Sequence, residues 1–153
     1  TNASSAILGL PPAEILADAE LYRLELAQLR EALSVMRALG HAVVDLPGTP
    51  VRALAFMVRR FPAAFSQPVL QQALGRGRGG KMPSFYLDLE SGRGKSEVGF
   101  LNGAVARYGA EVGVKTPVNQ ALTEILMDLT DGRLARADFL RRPAALINRV
   151  SGR

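Results

Sequence analysis

The sequence contains no cysteine, no tryptophan and a single histidine, His41, among its 153 residues. Without cysteine, a disulfide framework, a cysteine-ligated zinc site and thiol catalysis are all excluded. One histidine cannot build a histidine-rich metal site, so we predict no metal. The sequence also lacks the roughly 18–20 uninterrupted apolar residues of a membrane span and the basic start of a signal peptide. We therefore expect a cytoplasmic chain. Because its first residue is Thr1, it is either processed or part of something longer.

The composition is that of an ordinary globular protein, with 48% hydrophobic and 22% charged residues. This length fits one domain, so we treat residues 1–153 as a single unit. The net charge of +5 is spread unevenly, because residues 1–50 carry −3, residues 51–100 carry +5 and residues 101–153 carry +3. A basic half can bind nucleic acid or an anionic surface, but the basic residues here are dispersed and aromatic stacking platforms are few. We expect neither a nucleic-acid nor a membrane partner.

Apolar residues recur at helical spacing over residues 13–40. Their spacings of 4, 3, 4, 3, 4 and 3 residues predict one amphipathic helix of about seven turns. We expect this stripe to be buried and Arg23 and Arg30 to point outward. The stripe consists of Ile15, Ala19, Tyr22, Leu26, Leu29, Leu33 and Met36.

Capping residues, prolines and glycines predict further helices along the rest of the chain. A kink is expected at Pro143, inside the last of them. His41–Asp45 is the only strand-like run, and it is short, so the predicted fold is all-α with about seven helices. The predicted helices run approximately from Thr49 to Phe61, from Ser66 to Gly75, from Ser84 to Gly92, from Ser96 to Gly113, from Thr116 to Gly132 and from Asp138 to Val150.

The segment Gly75–Lys81 is rich in glycine and basic residues, and it fits the spacing G-x-G-x-x-G. That fingerprint binds a dinucleotide only where a strand leads into it and a helix leads out. A predicted helix leads in here, so we interpret the match as coincidental. Two interpretations stay open. One is a basic solvent loop, and the other is a loop whose Arg76, Arg78 and Lys81 face an anionic ligand.

Three later runs form an ordered set of motifs: KMPSFYLD at 81–88, GRGKSEVGFLNG at 92–103 and GVKTPVN at 113–119. Together they resemble the C-terminal domain of ketopantoate reductases (2-dehydropantoate 2-reductases). That domain has a serine followed by an aspartate, a Gly-Arg turn, a Ser/Thr-Glu pair, an Asn-Gly pair and a Thr-Pro-x-Asn. The opening run Thr1–Ile7 resembles the family segment that carries a substrate asparagine.

The resemblance implies a two-domain enzyme of which this chain matches the helical part. The family combines an N-terminal dinucleotide-binding domain with an all-helical domain similar to that of 6-phosphogluconate dehydrogenase. Its members transfer hydride from NADPH to the carbonyl carbon of ketopantoate, a small anionic 2-oxo acid. A lysine acts as the general acid, a glutamate supports it, and asparagines and a serine hold the substrate.

Carried over residue by residue, the resemblance makes Glu97 the catalytic glutamate. Asn2, Ser84 and Lys81 become substrate-binding residues. Each has a structural alternative: Glu97 can simply complement a helix dipole and Ser84 can be an ordinary N-cap. The asparagines of the two later motifs are expected to serve helix packing and capping.

Departures from the family pattern leave alternatives open. The family lysine lies about two helical turns before the position of Asn2, so the 153-residue chain does not include it. Lys81 stands where the family often has Asn, and Gly99 where an acid is usual, so the substrate can be a different 2-oxo acid. A helical dimerisation module also remains open, as does a homodimer through the helical domain.

Overall fold

The computed structural model describes the backbone of residues 1–78, 81–92 and 94–152. Side chains are described for the same residues except 73–78. This part of the chain contains nine α-helices and two short 3₁₀ turns, Glu97–Phe100 and Arg136–Asp138. The α-helices are α1 (Asn2–Leu8), α2 (Pro12–Ala17), α3 (Ala19–Ala38), α4 (Val51–Arg60), α5 (Ala63–Arg78), α6 (Ser84–Glu90), α7 (Asn102–Glu111), α8 (Pro117–Thr130) and α9 (Pro143–Val150).

The predicted all-α fold is confirmed, since the described residues form no β-strand. The strand-like run His41–Asp45 is irregular, and only an isolated bridge between Leu46 and Thr49 follows it. The described α-helices are more numerous than predicted because the segment predicted over residues 13–40 forms two of them, α2 and α3, and because α1 has no predicted counterpart.

The prediction of a single helix over residues 13–40 is wrong, because the helix is interrupted at Asp18. Its backbone is extended there, and its carboxylate accepts hydrogen bonds from the backbone N–H groups of Glu20 and Leu21, both at 2.9 Å. Asp18 is therefore the N-cap of α3. The apolar spacing continues across this break, which is why periodicity alone did not reveal it.

The predicted burial of the stripe is correct for Ile15, Tyr22 and Leu26 but wrong for Ala19 and Leu29, which are exposed. Tyr22 and Leu26 are 1% and 2% exposed, but Leu29 is 40% exposed. The buried face of α3 also includes Glu25 and Gln28, two polar residues that the apolar pattern leaves out. Arg23 and Arg30 are exposed, as predicted.

The helix predicted to begin at Ser66 begins earlier and ends later. Helix α5 starts at Ala63, so Ser66 is buried within its second turn, and the helix continues past Gly75 to Arg78. The prediction that 75–81 forms a loop is therefore wrong for residues 75–78. Gly80 and the side chains of Arg76 and Arg78 lie outside the described residues, so the ligand-facing alternative for that segment stays a prediction.

Other predicted helix boundaries move by a few residues. Ser96 caps only the 3₁₀ turn, and α7 begins at Asn102. The last predicted helix does not kink at Pro143 but begins there, because proline suits the first helical position. In α4 the N-cap is Pro50 rather than Thr49, and the backbone N–H of Arg52 donates to Asp45 at 2.8 Å.

The buried apolar residues form two clusters. The larger joins α1, α6, α8 and α9 around Ile7, Phe85 and Leu122. The smaller joins α2, α3, α4 and α5 around Tyr22 and Leu70. Helix α3 contributes to both, so it links the two halves of the core.

Glycine allows α7 to lie close to the residues that precede α8. A Cβ at Gly109 would stand 2.8 Å from both Thr116 Cγ2 and Val114 O, a distance that would force the backbone to move. At the other end of α7, Asn102 donates a hydrogen bond to Asn119 in the first turn of α8.

Candidate functional site

A cavity of about 320 Å³ opens where α1, α2, α3, α5 and the start of α7 meet. One wall is polar and includes Asn2, Glu25, Gln28 and Asn102. The apolar wall consists of Pro12, Leu16, Leu26, Leu29, Leu70 and Leu101, with Tyr22 beside it. A concave site with mostly apolar walls and a few fixed polar groups is typical of small-molecule binding.

Glu25 is the carboxylate of the polar wall, and it is only 2% exposed. Ser4 of α1 donates its hydroxyl to Glu25 Oε1 at 2.6 Å, and Gln28 Nε2 donates to Glu25 Oε2. The backbone nitrogen of Thr1 lies 2.7 Å from Glu25 Oε2. Donors therefore surround the buried carboxylate, as a charge shielded from water requires, and they fix the start of α1 against α3.

Asn102 continues the polar wall onto α7. Its amide nitrogen lies 2.9 Å from both Gln28 Oε1 and Asn119 Oδ1, and it donates to both. Asn102 lines the cavity and is half-buried. The chain of hydrogen bonds from Ser4 through Glu25 and Gln28 to Asn102 holds three helices at fixed positions around the cavity.

Asn119 anchors the far end of this network. It is 2% exposed and donates to the backbone oxygen of Gln28 at 3.0 Å and to Glu31 Oε2 at 2.6 Å. Glu31 also accepts the backbone N–H groups of Val118 and Asn119, both at 2.9 Å, and so caps α8 from the side of α3. The expected packing and capping role of the two motif asparagines fits these contacts, although Asn102 also lines the cavity.

Tyr22 stands where the cavity meets the smaller apolar cluster. Its hydroxyl donates to Ser66 Oγ of α5 at 2.7 Å. Burial raises the pKa of the Tyr22 phenol, and the hydrogen bond to Ser66 and the positive charge of Arg30 oppose this only in part. The phenol is thus held neutral, as a donor, well beyond ordinary pH.

The four residues predicted from the family motifs are placed differently. Asn2 is the first residue of α1 and lines the cavity. Ser84 is exposed at the first position of α6, and Lys81 is exposed three residues before it. Glu97 is exposed at the start of the 3₁₀ turn that precedes α7. Of the four, only Asn2 is among the residues that line this cavity, and the roles of all four stay predictions.

The sequence reasoning missed Glu25, Gln28 and the cavity role of Asn102. Glu25 and Gln28 lie three residues apart on α3 and share one face of the helix. That spacing was visible in the sequence, but nothing in it distinguished a buried polar pair from a solvated one.

Neither a membrane-spanning helix nor a metal cluster is present in the described parts of the chain. None of the described helices is long and apolar enough to cross a bilayer. The described residues contain no group of three or more histidine, aspartate or glutamate side chains placed to hold a metal ion.

Comparison with known proteins identifies relatives. The sequence model of the family described as ketopantoate reductase PanE/ApbA C terminal matches residues 1–130. The chain is also similar to a protein named 2-dehydropantoate 2-reductase from Pyrobaculum aerophilum, with 31% identity over 125 residues. That match covers 82% of this chain but only 37% of the relative, so the chain corresponds to well under half of that protein. No solved structure matches the chain significantly. With a family match over most of its length, the chain belongs to the ketopantoate reductase C-terminal family.

Proposed function

We propose that this chain is the helical, substrate-binding part of an NADPH-dependent 2-oxo acid reductase that converts 2-dehydropantoate to pantoate in pantothenate biosynthesis. The observation that carries the proposal is the cavity whose lining includes Asn2, the residue matching the family's substrate asparagine, and Asn102. A cavity with an amide side chain and mostly apolar walls suits a small anion with an apolar body, because amide N–H groups donate to carboxylate and carbonyl oxygens. Both N–H groups of Asn102 already donate to Gln28 and Asn119, so Asn102 helps to shape the polar wall. Its location in the cytoplasm belongs to the same proposal and rests on the family resemblance.

Glu97 and Ser84 lie outside this cavity, and their proposed roles depend on a second part of the protein. The Glu97 carboxylate is exposed and has no ion pair or hydrogen bond with another described residue. It is therefore available to a cation outside the chain, and we propose that it orients the general-acid lysine and keeps it protonated. Ser84 and Lys81, both exposed, would bind the carboxylate end of the substrate.

The described residues do not fit the cofactor. A dinucleotide site of the G-x-G-x-x-G type needs a strand before the glycines, whereas Gly75 and Gly77 lie inside helix α5. NADPH supplies the hydride in this family. We propose that a separate dinucleotide-binding domain holds it, and we assign no step of its chemistry to this chain.

Steady-state kinetics of the longer protein that carries this chain test the proposal. With NADPH and a panel of 2-oxo acids, ketopantoate should give the highest kcat/KM. Glu97→Ala should lower kcat by about 10²–10⁴-fold, the typical contribution of positioned acid–base groups. Ser84→Ala should raise KM and leave kcat unchanged, because a contact made equally in ground and transition states affects binding alone.

Glu111→Ala is the matched control, since Glu111 is an exposed glutamate at the end of α7. It should leave both constants unchanged. If Glu97→Ala kept a normal kcat on the best substrate, its catalytic assignment would fail. If another 2-oxo acid were strongly preferred, the protein would be a reductase of the same type with a different substrate.

A homodimer through the helical domain is part of the proposal. It is supported by large apolar side chains that stay open to solvent, with Phe100 79% exposed. Light scattering of the longer protein tests it, and a monomeric mass at micromolar concentration would contradict it.

A further inference from the structure

A second cavity, of about 730 Å³, lies between α3 and α4, and no feature of the proposed reductase uses it. The described residues that line it include no aspartate or glutamate. Five guanidinium groups surround it: those of Arg30, Arg37, Arg52, Arg59 and Arg60.

The five arginines follow from two matching helix faces. On α3 the lining residues are 30, 33, 34 and 37, and on α4 they are 52, 55, 56, 59 and 60. Both series have the spacing of one helix face, with an arginine at each end of a seven-residue interval. Seven residues of helix span about 10 Å. The α3 face therefore has one arginine at each end, and the α4 face has Arg52 at one end and both Arg59 and Arg60 at the other.

Hydrogen bonds show which arginines meet at each end. Arg30 donates to the backbone oxygens of Val58 and Phe61 at 2.7 and 3.0 Å, and Arg59 donates to the backbone oxygen of Leu33 at 3.0 Å. The start of the α3 face therefore lies beside the end of α4, and the two helices run antiparallel. Arg37 and Arg52 consequently lie toward the opposite end of the cavity.

The two ends differ in how their arginines are used. Arg30 and Arg59 tie the helices together through backbone carbonyls, whereas Arg60, next to Arg59 in the chain, has no side-chain hydrogen bond or ion pair with a described residue. Arg37 and Arg52 have no side-chain hydrogen bond or ion pair with any described residue. The Asp45 carboxylate accepts the backbone N–H of Arg52 at 2.8 Å and so caps α4, without a hydrogen bond or ion pair to the Arg52 guanidinium group. Two like charges without a carboxylate partner repel each other, and an anion between them would remove that cost.

An apolar floor separates the two ends. It consists of Leu33, Ala55 and Phe56, and the Phe56 side chain is 59% exposed although its ring packs edge-on against Phe61. A ligand with an apolar or planar body would cover this floor. The arginines surround one concavity that is open to solvent and do not form a long basic stripe, which favours a small molecule over nucleic acid.

We propose that this cavity binds a small phosphorylated ligand, with a phosphate or diphosphate group between Arg37 and Arg52 and an apolar body over Leu33, Ala55 and Phe56. Guanidinium groups form paired, charge-assisted hydrogen bonds with phosphate oxygens, and lysine does not reproduce this geometry. The proposal is independent of the reductase assignment, because it concerns a different cavity.

Titration calorimetry of the purified chain with inorganic pyrophosphate, ADP and adenosine tests this site. Both apolar clusters are formed by residues of this chain alone, so the purified chain can be used for the titration. ADP should bind more tightly than pyrophosphate, adenosine should not bind measurably, and affinity should fall between about 50 and 200 mM NaCl, as screening requires. The double variant Arg37→Gln/Arg52→Gln should weaken ADP binding by at least about tenfold, the loss expected when a charge-assisted hydrogen bond is removed.

The control is Arg23→Gln/Arg142→Gln, which removes the same charge at two exposed arginines that do not line the cavity. It should bind ADP like the parent chain, and circular dichroism should show that both double variants are folded. An equal loss in the two variants, or no ADP binding by the parent chain, would overturn the proposal. Equal affinity for pyrophosphate and ADP would show that the apolar floor does not contribute to binding. Tighter binding of a short DNA duplex than of ADP would show that the site binds nucleic acid and not a small ligand.

Discussion

Two leucines one turn apart on α3 differ sharply in environment. Leu26 is 2% exposed in the smaller cluster, and Leu29 is 40% exposed at the rim of the first cavity. Leu26→Ala should lower the free energy of unfolding by about 2–5 kcal/mol, since it leaves a cavity in packed surroundings. Leu29→Ala should cost below about 1 kcal/mol, as at most exposed positions. Urea denaturation measures both, and equal losses would mean that the rotation of α3 about its axis is misassigned.

Tyr22 makes stability depend on pH at the alkaline end. Burial raises the pKa of its phenol above the ordinary value of 10.0. Above that pH the unfolded chain releases the proton while the folded chain retains it, so the folded state binds more protons and stability falls as pH rises. Below pH about 10 both states are protonated and Tyr22 contributes its full stabilisation.

Melting temperatures from pH 8 to 11 test this dependence. The melting temperature of the parent chain should fall above pH about 10. Tyr22→Phe should reduce this fall, because it removes the titrating phenol. The variant also loses the hydrogen bond to Ser66. Tyr108→Phe is the control, because Tyr108 is 48% exposed. If Tyr22→Phe and Tyr108→Phe had the same alkaline profile, the phenol would not be the group responsible.

Among the helices, α3 depends most clearly on one capping side chain. Asp18 accepts two backbone N–H groups of its first turn. Asp18→Ala should therefore lower the free energy of unfolding by about 0.5–2 kcal/mol, and Asp18→Asn, an equally good N-cap, should restore most of the loss. Chemical denaturation of the three chains measures this. Failure of asparagine to recover stability would point to charge rather than to capping.

Helix boundaries could be predicted where the signal is local. The Thr116-Pro117 pair marks the start of α8, and Phe61-Pro62 ends α4, because proline restricts both its own backbone and that of the preceding residue. The break at Asp18 could not be predicted in this way. Its carboxylate can complement a helix dipole or cap a new helix, and the apolar spacing is the same in both cases.

The candidate site was less predictable than the fold, because its polar contacts join residues far apart in sequence. Ser4 meets Glu25 across 21 positions, and Asn119 meets Glu31 across 88. A motif match could indicate Asn2, but only the packing of α1 against α3 shows that a buried carboxylate lies beside it. The arginine pairs on α3 and α4 likewise become a cavity only when the two helices pack antiparallel.

At the scale of the whole molecule, α3 connects two sites of different chemistry. Its first half supplies Tyr22, Glu25 and Gln28 to the amide-lined cavity, and its second half supplies Arg30 and Arg37 to the arginine-lined one. A ligand at either site would contact the same helix. Binding at the two sites can therefore be coupled through α3, which also belongs to both apolar clusters.

The 153-residue chain, purified alone, should fold cooperatively but should not oxidise NADPH with ketopantoate. Its two clusters contain or contact apolar residues from eight of the nine described α-helices, all except α7, which is enough for a cooperative core. The family's general acid lies before the position of Asn2, and no described strand leads into a glycine turn that could hold a dinucleotide. A single sigmoidal thermal transition by circular dichroism, together with no absorbance loss at the NADPH band, is the expected result. Turnover by the chain alone would mean that its own residues supply both the proton and the cofactor site, and the two-part reductase would have to be abandoned.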